Sequence, residues 1–218
     1  MLPNQWRGLD LAGMIFTALQ VSLGMVVFWI YQIGVRNNQE QARLGTPILL
    51  GIGGDSGSGK HTLVKTLRTL VGHHNSIQTN GDDYHRWQRG HEEWQTTTHL
   101  NPTANQMFLP VEHAEALKQG RPIRKPVYDH DTGKFTDPVL FKPQRFVFFV
   151  GLHPFYVRRM RQLLDIKIFL DPDENLRRYW KIRRDQANRG YSREEVLDQL
   201  EKRQTDSQAH IQPQRQFA

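Results

Sequence analysis

The sequence predicts an α/β fold of three layers, in which helices cover a mainly parallel sheet. Three short apolar runs have the length and continuity of buried parallel strands, at residues 47–52, 146–150 and 166–170. Segments with helical signals separate these runs, and a glycine-rich turn follows the first one. Because strands that alternate with helices form parallel sheets, the pattern favours this fold over an all-α or all-β one.

The glycine-rich turn fits the phosphate-binding pattern G-x-x-x-x-G-K, known as the P-loop, from Gly54 to Lys60. Its glycines let the backbone curl and direct successive N–H groups inward, and Lys60 adds a charge for the β- and γ-phosphates. A helix predicted over residues 63–71 offers its positive N-terminus. We therefore predict a P-loop NTPase-type fold, with a nucleotide site formed by Gly54, Asp55, Ser56, Gly57, Ser58, Gly59, Lys60, His61 and Thr62.

The residue after Lys60 departs from the pattern. The pattern has Ser or Thr there to hold Mg²⁺, whereas this chain has His61, with Thr62 one place later. A helix turns about 100° per residue, so Thr62 does not inherit the direction of the missing hydroxyl. ATP and Mg²⁺ are the expected cofactors, and Thr62 is the candidate metal ligand of this motif.

The charge and the cysteine content of the chain limit the ligands and the chemistry that it can have. The chain has 29 Lys and Arg against 22 Asp and Glu, and its net charge of +7 suits phosphate ligands, nucleic acid or an anionic membrane. The basic residues are interleaved with acidic and apolar ones, so nucleic-acid binding is not predicted. The sequence has no cysteine, which excludes disulfides, thiolate metal sites and thiol redox control.

An apolar segment without charge, at residues 11–35, predicts a single transmembrane helix after a tail at 1–10. As a helix it would be about 37 Å long, with aromatic residues near both ends. A signal peptide would have a shorter apolar region, and an interfacial helix would have a charged face. A buried core helix stays open, since polar residues dilute the segment. Residues 36–46 are predicted to link it to a domain at 47–218 that faces the cytoplasm, where ATP is available.

The remaining elements follow from local signals. Between the P-loop helix and the second apolar run we expect a strand, a long loop, a helix and a hairpin or ordered loop, over 76–79, 86–105, 105–119 and 121–143. Asp171 and Pro172 are expected to start a long helix that ends at Gly190. Ser192 and Glu195 form a capping box, which predicts another helix over 193–204.

A series of short motifs runs from the P-loop towards the C-terminus. They are GDSGSGK (54–60), DDYH (82–85), THLNP (98–102), KPVYDHDTG (125–133), GLHP (151–154), WKIRRD (180–185) and QPQRQ (212–216). In their order and spacing they resemble the phosphoribulokinase and uridine kinase family of P-loop kinases, in its phosphoribulokinase type from plants and cyanobacteria. The resemblance covers nearly everything from Ile48 onward.

The resemblance implies phosphorylation of a sugar-phosphate hydroxyl, such as that of ribulose 5-phosphate, by MgATP. It implies that Asp82 is the general base, which suits a carboxylate at a strand end. The other implied roles are sugar-phosphate binding by His85, Arg89, Tyr128 and His130, and stabilisation of charge during transfer by Lys60, Arg184 and Arg189. The neighbouring Arg177, Arg178 and Arg183 are expected to form a solvated face. His73 and His74 are expected to be ordinary surface or core residues without a role in the site.

The chain departs from this family in three respects. Val150 occupies the strand end where the family has an acidic residue that helps to hold Mg²⁺, so a second metal contact is missing. Asp55, Thr62 or Asp83 would have to compensate. The family's redox cysteines are replaced by Ser58 and Asn80. The family also continues into further strands, which predicts that the domain lacks its C-terminal strands and has an exposed sheet edge.

Three functions are therefore carried forward. The first is a membrane-tethered sugar-phosphate kinase, which the missing metal ligands would impair. The second is a nucleotide-binding protein with weak catalysis that acts as a sensor or scaffold at the membrane. The third is a kinase with a nucleoside acceptor such as uridine. Homo-oligomerisation stays open in each case.

Overall fold

The structure is a computed structural model that describes residues 45–218. The predicted tail, the predicted transmembrane helix at 11–35 and nearly all of the predicted linker lie outside the described residues. Within residues 45–218, no helix combines the length and the apolarity that crossing a bilayer requires. Residues 46–218 form one compact unit.

The described unit alternates strands and helices up to residue 118, and a run of five strands follows over residues 123–150. In chain order the elements are β1 (Ile48–Gly54), α1 (Lys60–Val71), β2 (Ser76–Asn80), α2 (Leu109–Lys118), β3 (Ile123–Lys125), β4 (Tyr128–Asp129), β5 (Lys134–Phe135), β6 (Val139–Phe141), β7 (Phe146–Val150), α3 (Arg158–Leu163), β8 (Ile166–Leu170), α4 (Glu174–Arg189), α5 (Arg193–Lys202) and α6 (Gln204–Asp206). A π-helical turn (Ser207–Ile211) and a 3₁₀-helix (Gln212–Phe217) follow α6. We call residues 204–217 the C-terminal helical segment.

The main sheet has four strands in the order β2–β7–β1–β8, and every neighbouring pair is parallel. Val150, at the end of β7, is in register with Ile52 of β1 and with Asn80 of β2. The carboxyl ends of the strands therefore meet at one edge, which is where open α/β sheets bind ligands.

Helices pack on both faces of this sheet, as predicted. Because successive strand residues point to opposite faces, Leu49 and Leu50 belong to different cores. Leu49 packs in the core that includes residues of α2 and α3, whereas Leu50 packs with Val64 of α1. The four strands predicted from the sequence are confirmed, and the central ones are buried along most of their length.

Two local predictions need correction. The helix predicted over 105–119 begins at Leu109, with a proline in its first turn. Asp171 does not cap α4, because the carboxylate of Asp173 accepts the N–H groups of Asn175 and Leu176 (2.9 and 3.2 Å). Asp171 pairs with Arg215 instead (2.7 Å).

The segment 121–143, predicted as a short hairpin or an ordered loop, contains two antiparallel strand pairs. They are β3 with β6 and β4 with β5. The capping box of α5 is confirmed. Ser192 Oγ accepts from the backbone N–H of Glu195 (3.1 Å), and Glu195 Oε2 accepts from the backbone N–H of Ser192 (2.7 Å). The helix that it opens ends at Lys202, two residues before the predicted end.

Candidate active site

The P-loop curls around the side chain of Lys60. Its Nζ donates hydrogen bonds to the carbonyl oxygens of Gly54 and Asp55, both at 2.7 Å. Gly54 and Gly57 have φ values of 140° and 88°, which L side chains rarely adopt. A Cβ at Gly54 would lie 2.6 Å from the carbonyl oxygen of Leu170, so glycine is required there by space as well as by backbone conformation.

The electrostatics of Lys60 suit an anion site. Burial lowers the pKa of Lys60 to about 8; the carboxylates of Asp55 and Asp82 oppose this shift, and the charges of Arg184 and Arg177 add to it. The cations around the loop therefore repel one another. A bound phosphate would relieve that repulsion, which is the behaviour expected of a phosphate-binding loop.

Helix α4 lies against the P-loop and supports it from one side. Arg177 Nη1 donates to the carbonyl oxygen of Ser56 (2.8 Å), and the same guanidinium lies 3.6 Å from the Asp55 carboxylate. Its side chain is 11% exposed, so the prediction of a solvated face is wrong for Arg177. Its position in the first turn of α4 brings its guanidinium to the carbonyl oxygen of Ser56 in the loop. Arg183 is exposed, as predicted, and contacts Tyr179.

A buried ion pair fixes the next turn of α4. Lys181 Nζ lies 2.5 Å from Asp185 Oδ2, and both side chains are almost fully buried. Arg184 Nε donates to the other oxygen of Asp185 (2.8 Å), and the Arg184 side chain lines the cleft described below. Asp185 thereby orients the predicted catalytic arginine. The side chain of Arg189, the second predicted lid arginine, lies outside the described part of the structure.

Asp82 follows β2 and faces two imidazoles. Its Oδ2 lies 3.1 Å from His130 Nε2, and its Oδ1 lies 3.6 Å from His85 Nε2. Burial alone would raise the pKa of Asp82, but the hydrogen bond from His130 and the neighbouring imidazoles outweigh burial and hold the pKa well below its usual range. Asp82 is therefore ionised at neutral pH and able to accept a proton in a transition state.

Asp83 has a different role from its neighbour, although the sequence does not distinguish them. Its side chain is buried and pairs with the buried ammonium of Lys125. Its two oxygens also accept the backbone N–H groups of Tyr128 (2.8 Å) and Asn80 (3.1 Å). Asp83 therefore joins the end of β2 to β4, the strand that leads to His130.

The four predicted substrate residues meet Asp82 in one place. The ring of Tyr128 lies 5.4 Å from that of His85 and 5.2 Å from that of His130, measured between centroids. Arg89 Nη2 donates to the backbone carbonyl of His130 (2.6 Å), so Arg89 also braces the β4–β5 turn. Burial lowers the pKa of His85, and the neighbouring carboxylate of Asp82 opposes that shift.

Two further aromatic residues, Trp94 and His99, lie beside the predicted substrate residues. The rings of Trp94 and His99 lie 5.6 and 5.7 Å from that of His85. Trp94 lies in a segment without periodicity, so nothing in its local pattern pointed to the site. His99 belongs to the THLNP motif, which supports the family resemblance but does not indicate a role for the His99 side chain.

One cleft of about 1420 Å³ connects the two halves of the site. Its lining includes the P-loop from Ser56 to Gly59, the start of α1, Asp82, Arg184 and all four predicted substrate residues. Gly54 and Asp55 do not line it; they contribute backbone carbonyls to Lys60 instead. Except for Arg189, the predicted catalytic residues are thus brought together.

Among the described residues, the positions expected to hold Mg²⁺ offer few oxygen ligands. Within residues 45–218, no group of three or more His, Asp or Glu side chains is arranged to hold a metal ion. His61 and Thr62 are exposed at the start of α1, and Val150 is buried and apolar. Asp83 cannot compensate, because Lys125 and two backbone N–H groups occupy its carboxylate.

A parallel sheet whose first strand ends in a P-loop, with a cationic helix beside the loop, defines a nucleotide-binding α/β protein of the P-loop class. Residues 49–218 match the Phosphoribulokinase / Uridine kinase family, and the chain belongs to that family. The resemblance inferred from the sequence motifs is thereby confirmed.

Individual relatives agree with this assignment. The chain is 39% identical over 176 residues to a phosphoribulokinase of Synechocystis sp., a match that covers 81% of this chain and 53% of the relative. It is 34% identical over 155 residues to a uridine kinase of Latilactobacillus sakei, with 70% and 74% covered. A solved phosphoribulokinase from Rhodobacter spheroides superposes with a TM-score of 0.63 at 26% identity, over 79% of this chain and 68% of that one. The chain spans about half the length of the phosphoribulokinases of Synechocystis and wheat that it matches.

Proposed function

We propose that the domain transfers the γ-phosphoryl group of ATP to a hydroxyl of a sugar phosphate similar to ribulose 5-phosphate. The observation that carries the proposal is the position of Asp82 in the same cleft as the P-loop, 3.1 Å from the imidazole of His130. Family membership and the phosphoribulokinase relatives support the same activity. A tether at residues 11–35, with the domain facing the cytoplasm, is part of this proposal.

The proposed reaction uses the two halves of the cleft separately. Lys60 and the P-loop N–H groups bind the phosphates, and Arg184 stabilises charge as the γ-phosphoryl group moves. Asp82 takes the proton of the attacking hydroxyl, whose oxygen forms the new P–O bond while the bond to ADP breaks. The products are ADP and a phosphate ester. Positioning and charge stabilisation provide most of the catalysis in this type of transfer.

The acceptor half of the cleft favours a phosphorylated sugar. Its polar groups include the guanidinium of Arg89 and the imidazoles of His85, His99 and His130, which suit an anion and hydroxyl groups. A nucleoside acceptor is the second candidate, and the uridine kinase of L. sakei supports it. Trp94 and Tyr128 offer the ring faces on which a base would stack.

The test is an ADP-release assay on the full chain with ribulose 5-phosphate and uridine as parallel acceptors. We expect turnover with ribulose 5-phosphate. In Asp82→Asn turnover should fall by about 10²–10⁴-fold while ATP binding is retained, because general-base catalysis contributes that factor. The matched control is His74→Ala, an exposed histidine outside the cleft, which should behave as the parent.

Other results would change the assignment. Turnover with uridine alone would select the nucleoside kinase. Tight ATP binding without turnover of either acceptor would support a nucleotide sensor or scaffold. An Asp82→Asn variant as active as the parent would contradict the proposed base.

A further inference from the structure

The charged side chains that line the cleft are mostly cationic. Within the described part of the chain, Asp82 is the one carboxylate among the residues that line the cleft. Five Lys and Arg residues line it as well: Lys60, Arg89, Arg184, Lys202 and Arg203. A nucleoside triphosphate without metal carries about four negative charges at neutral pH, and Lys60 and Arg184 can neutralise part of that charge by side chains alone.

The other carboxylates near the P-loop are committed to protein partners. Asp55 accepts from the hydroxyl of Ser207 and from the backbone N–H of Ser56 (2.6 Å), and it pairs with Arg177. Asp83 is buried against Lys125. Neither carboxylate can turn towards a metal without breaking several of these contacts.

The two positions where P-loop proteins place magnesium ligands are occupied here by side chains without a suitable oxygen ligand. The residue after the P-loop lysine is His61, whose imidazole is a poor ligand for a cation that prefers oxygen. The end of β7, next to the P-loop strand, is Val150, 4% exposed and in register with Ile52. P-loop NTPases hold the metal with a hydroxyl and a strand-end carboxylate. Both groups are replaced, and one of the replacements is apolar.

We infer that this site binds its nucleotide without needing a metal ion, with Lys60 and Arg184 providing the neutralisation that a bound cation would otherwise supply. The inference rests on the proposed nucleotide site and concerns the dependence of nucleotide binding on a metal ion. It is independent of whether the acceptor half of the cleft is active. Arg184 suits this role because Asp185 anchors its Nε while the side chain lines the cleft.

Calorimetric titration of the full chain with ATP tests the inference, once in excess EDTA and once in excess Mg²⁺. We expect the two dissociation constants to agree within about threefold, which is less than 1 kcal/mol. Arg184→Gln should weaken binding in EDTA by about tenfold or more, because it removes a neutralising cation. The matched control is Arg183→Gln, the exposed neighbour on the same helix, which should leave binding unchanged.

A second variant restores the missing oxygen ligands. His61→Thr combined with Val150→Glu should make ATP binding depend on Mg²⁺ by at least about tenfold, and ATP turnover should rise with it. The control, His61→Thr with Val150→Gln, has the same shape without the charge and should show no such dependence. Circular dichroism establishes whether both fold, and the titration of the parent stands in either case.

The outcomes separate the inference from the proposed function. Binding that Mg²⁺ strengthens by more than about tenfold in the parent would overturn the inference and leave the kinase intact. Equal binding in both media with no phosphoryl transfer would support the inference and contradict the kinase. Absence of ATP binding in both media would overturn both.

Discussion

At the scale of single residues, the site depends on Lys60, whose protonated form is disfavoured by its surroundings. Lys60 is buried, its ammonium is bound only by neutral groups of the loop, and the nearby arginines repel it. These effects favour the neutral amine, which is why the pKa is lowered to about 8. An anionic ligand stabilises the ammonium and reverses the shift. The protonation of Lys60 and the binding of phosphate are therefore linked.

This linkage predicts a pH dependence of nucleotide affinity. Binding requires the protonated amine, so affinity should be retained below the pKa of the free protein and fall as pH rises through about 8, by up to about tenfold per pH unit. The measurement is titration with ADP between pH 7 and pH 9. In the control variant Lys60→Met binding should be weak throughout and lack this alkaline decline. A parent affinity that stays constant over this range would contradict the prediction.

Single residues also show where sequence reasoning stops. The P-loop, Asp82 and the four candidate substrate residues could be predicted to lie together, because each belongs to a motif of the family. Asp82 and Asp83 are adjacent carboxylates, and only the fold shows that one faces the cleft while the other is buried with Lys125. The same holds for Arg177, whose contact with Ser56 joins residues 121 positions apart.

At the scale of elements, the β3–β6 and β4–β5 pairs position the acceptor half of the site through a buried ion pair. Lys125, at the end of β3, is 1% exposed and lies against the rings of Tyr84 and Phe141, with its ammonium on Asp83. Removing one partner of such a pair leaves an unpaired charge in a medium of low dielectric. The pair therefore stabilises the end of β2 and the strands that carry Tyr128 together.

Lys125→Met should lower the free energy of unfolding by about 3–5 kcal/mol, the usual cost of breaking a buried pair. Urea denaturation measures this. The matched control is Lys134→Met in the nearby strand β5, where the lysine is exposed, and the change should stay within about 0.5 kcal/mol. If the two variants proved equally stable, Lys125 would not be holding Asp83.

Elements were predictable to the extent that their signals are local. The buried strands and the capping box of α5 follow from apolar continuity and from two side chains, and both were assigned correctly. The start of α4 was not, because Asp171 and Asp173 flank the same proline and either could cap a helix. Asp171 pairs with Arg215, 44 residues away, so its carboxylate does not cap the helix and Asp173 does. No local pattern contains that information.

At the scale of the whole molecule, the C-terminal helical segment joins the two halves of the cleft. Thr98 Oγ1 donates to Asp206 Oδ2 (2.6 Å), which ties the segment to the loop that carries Trp94 and His99. The next residue, Ser207, donates to the carboxylate of Asp55 in the P-loop. Two adjacent residues thus connect the acceptor side with the nucleotide side. Because Asp206 is bonded to the loop of Thr98 and Ser207 is bonded to the P-loop, ordering of one loop favours ordering of the other.

We therefore expect Ser207→Ala and Asp206→Ala to affect different ligands. A hydrogen bond to a charged group is worth about 1.5–3 kcal/mol, so Ser207→Ala should weaken ATP binding by about tenfold. Asp206→Ala should raise the KM for the acceptor with less effect on ATP binding. The control is Gln208→Ala, the exposed next residue, which should change neither. In the double variant the losses should fall short of additive by about 0.5 kcal/mol or more if the segment couples the two loops. Strictly additive losses would show two independent braces.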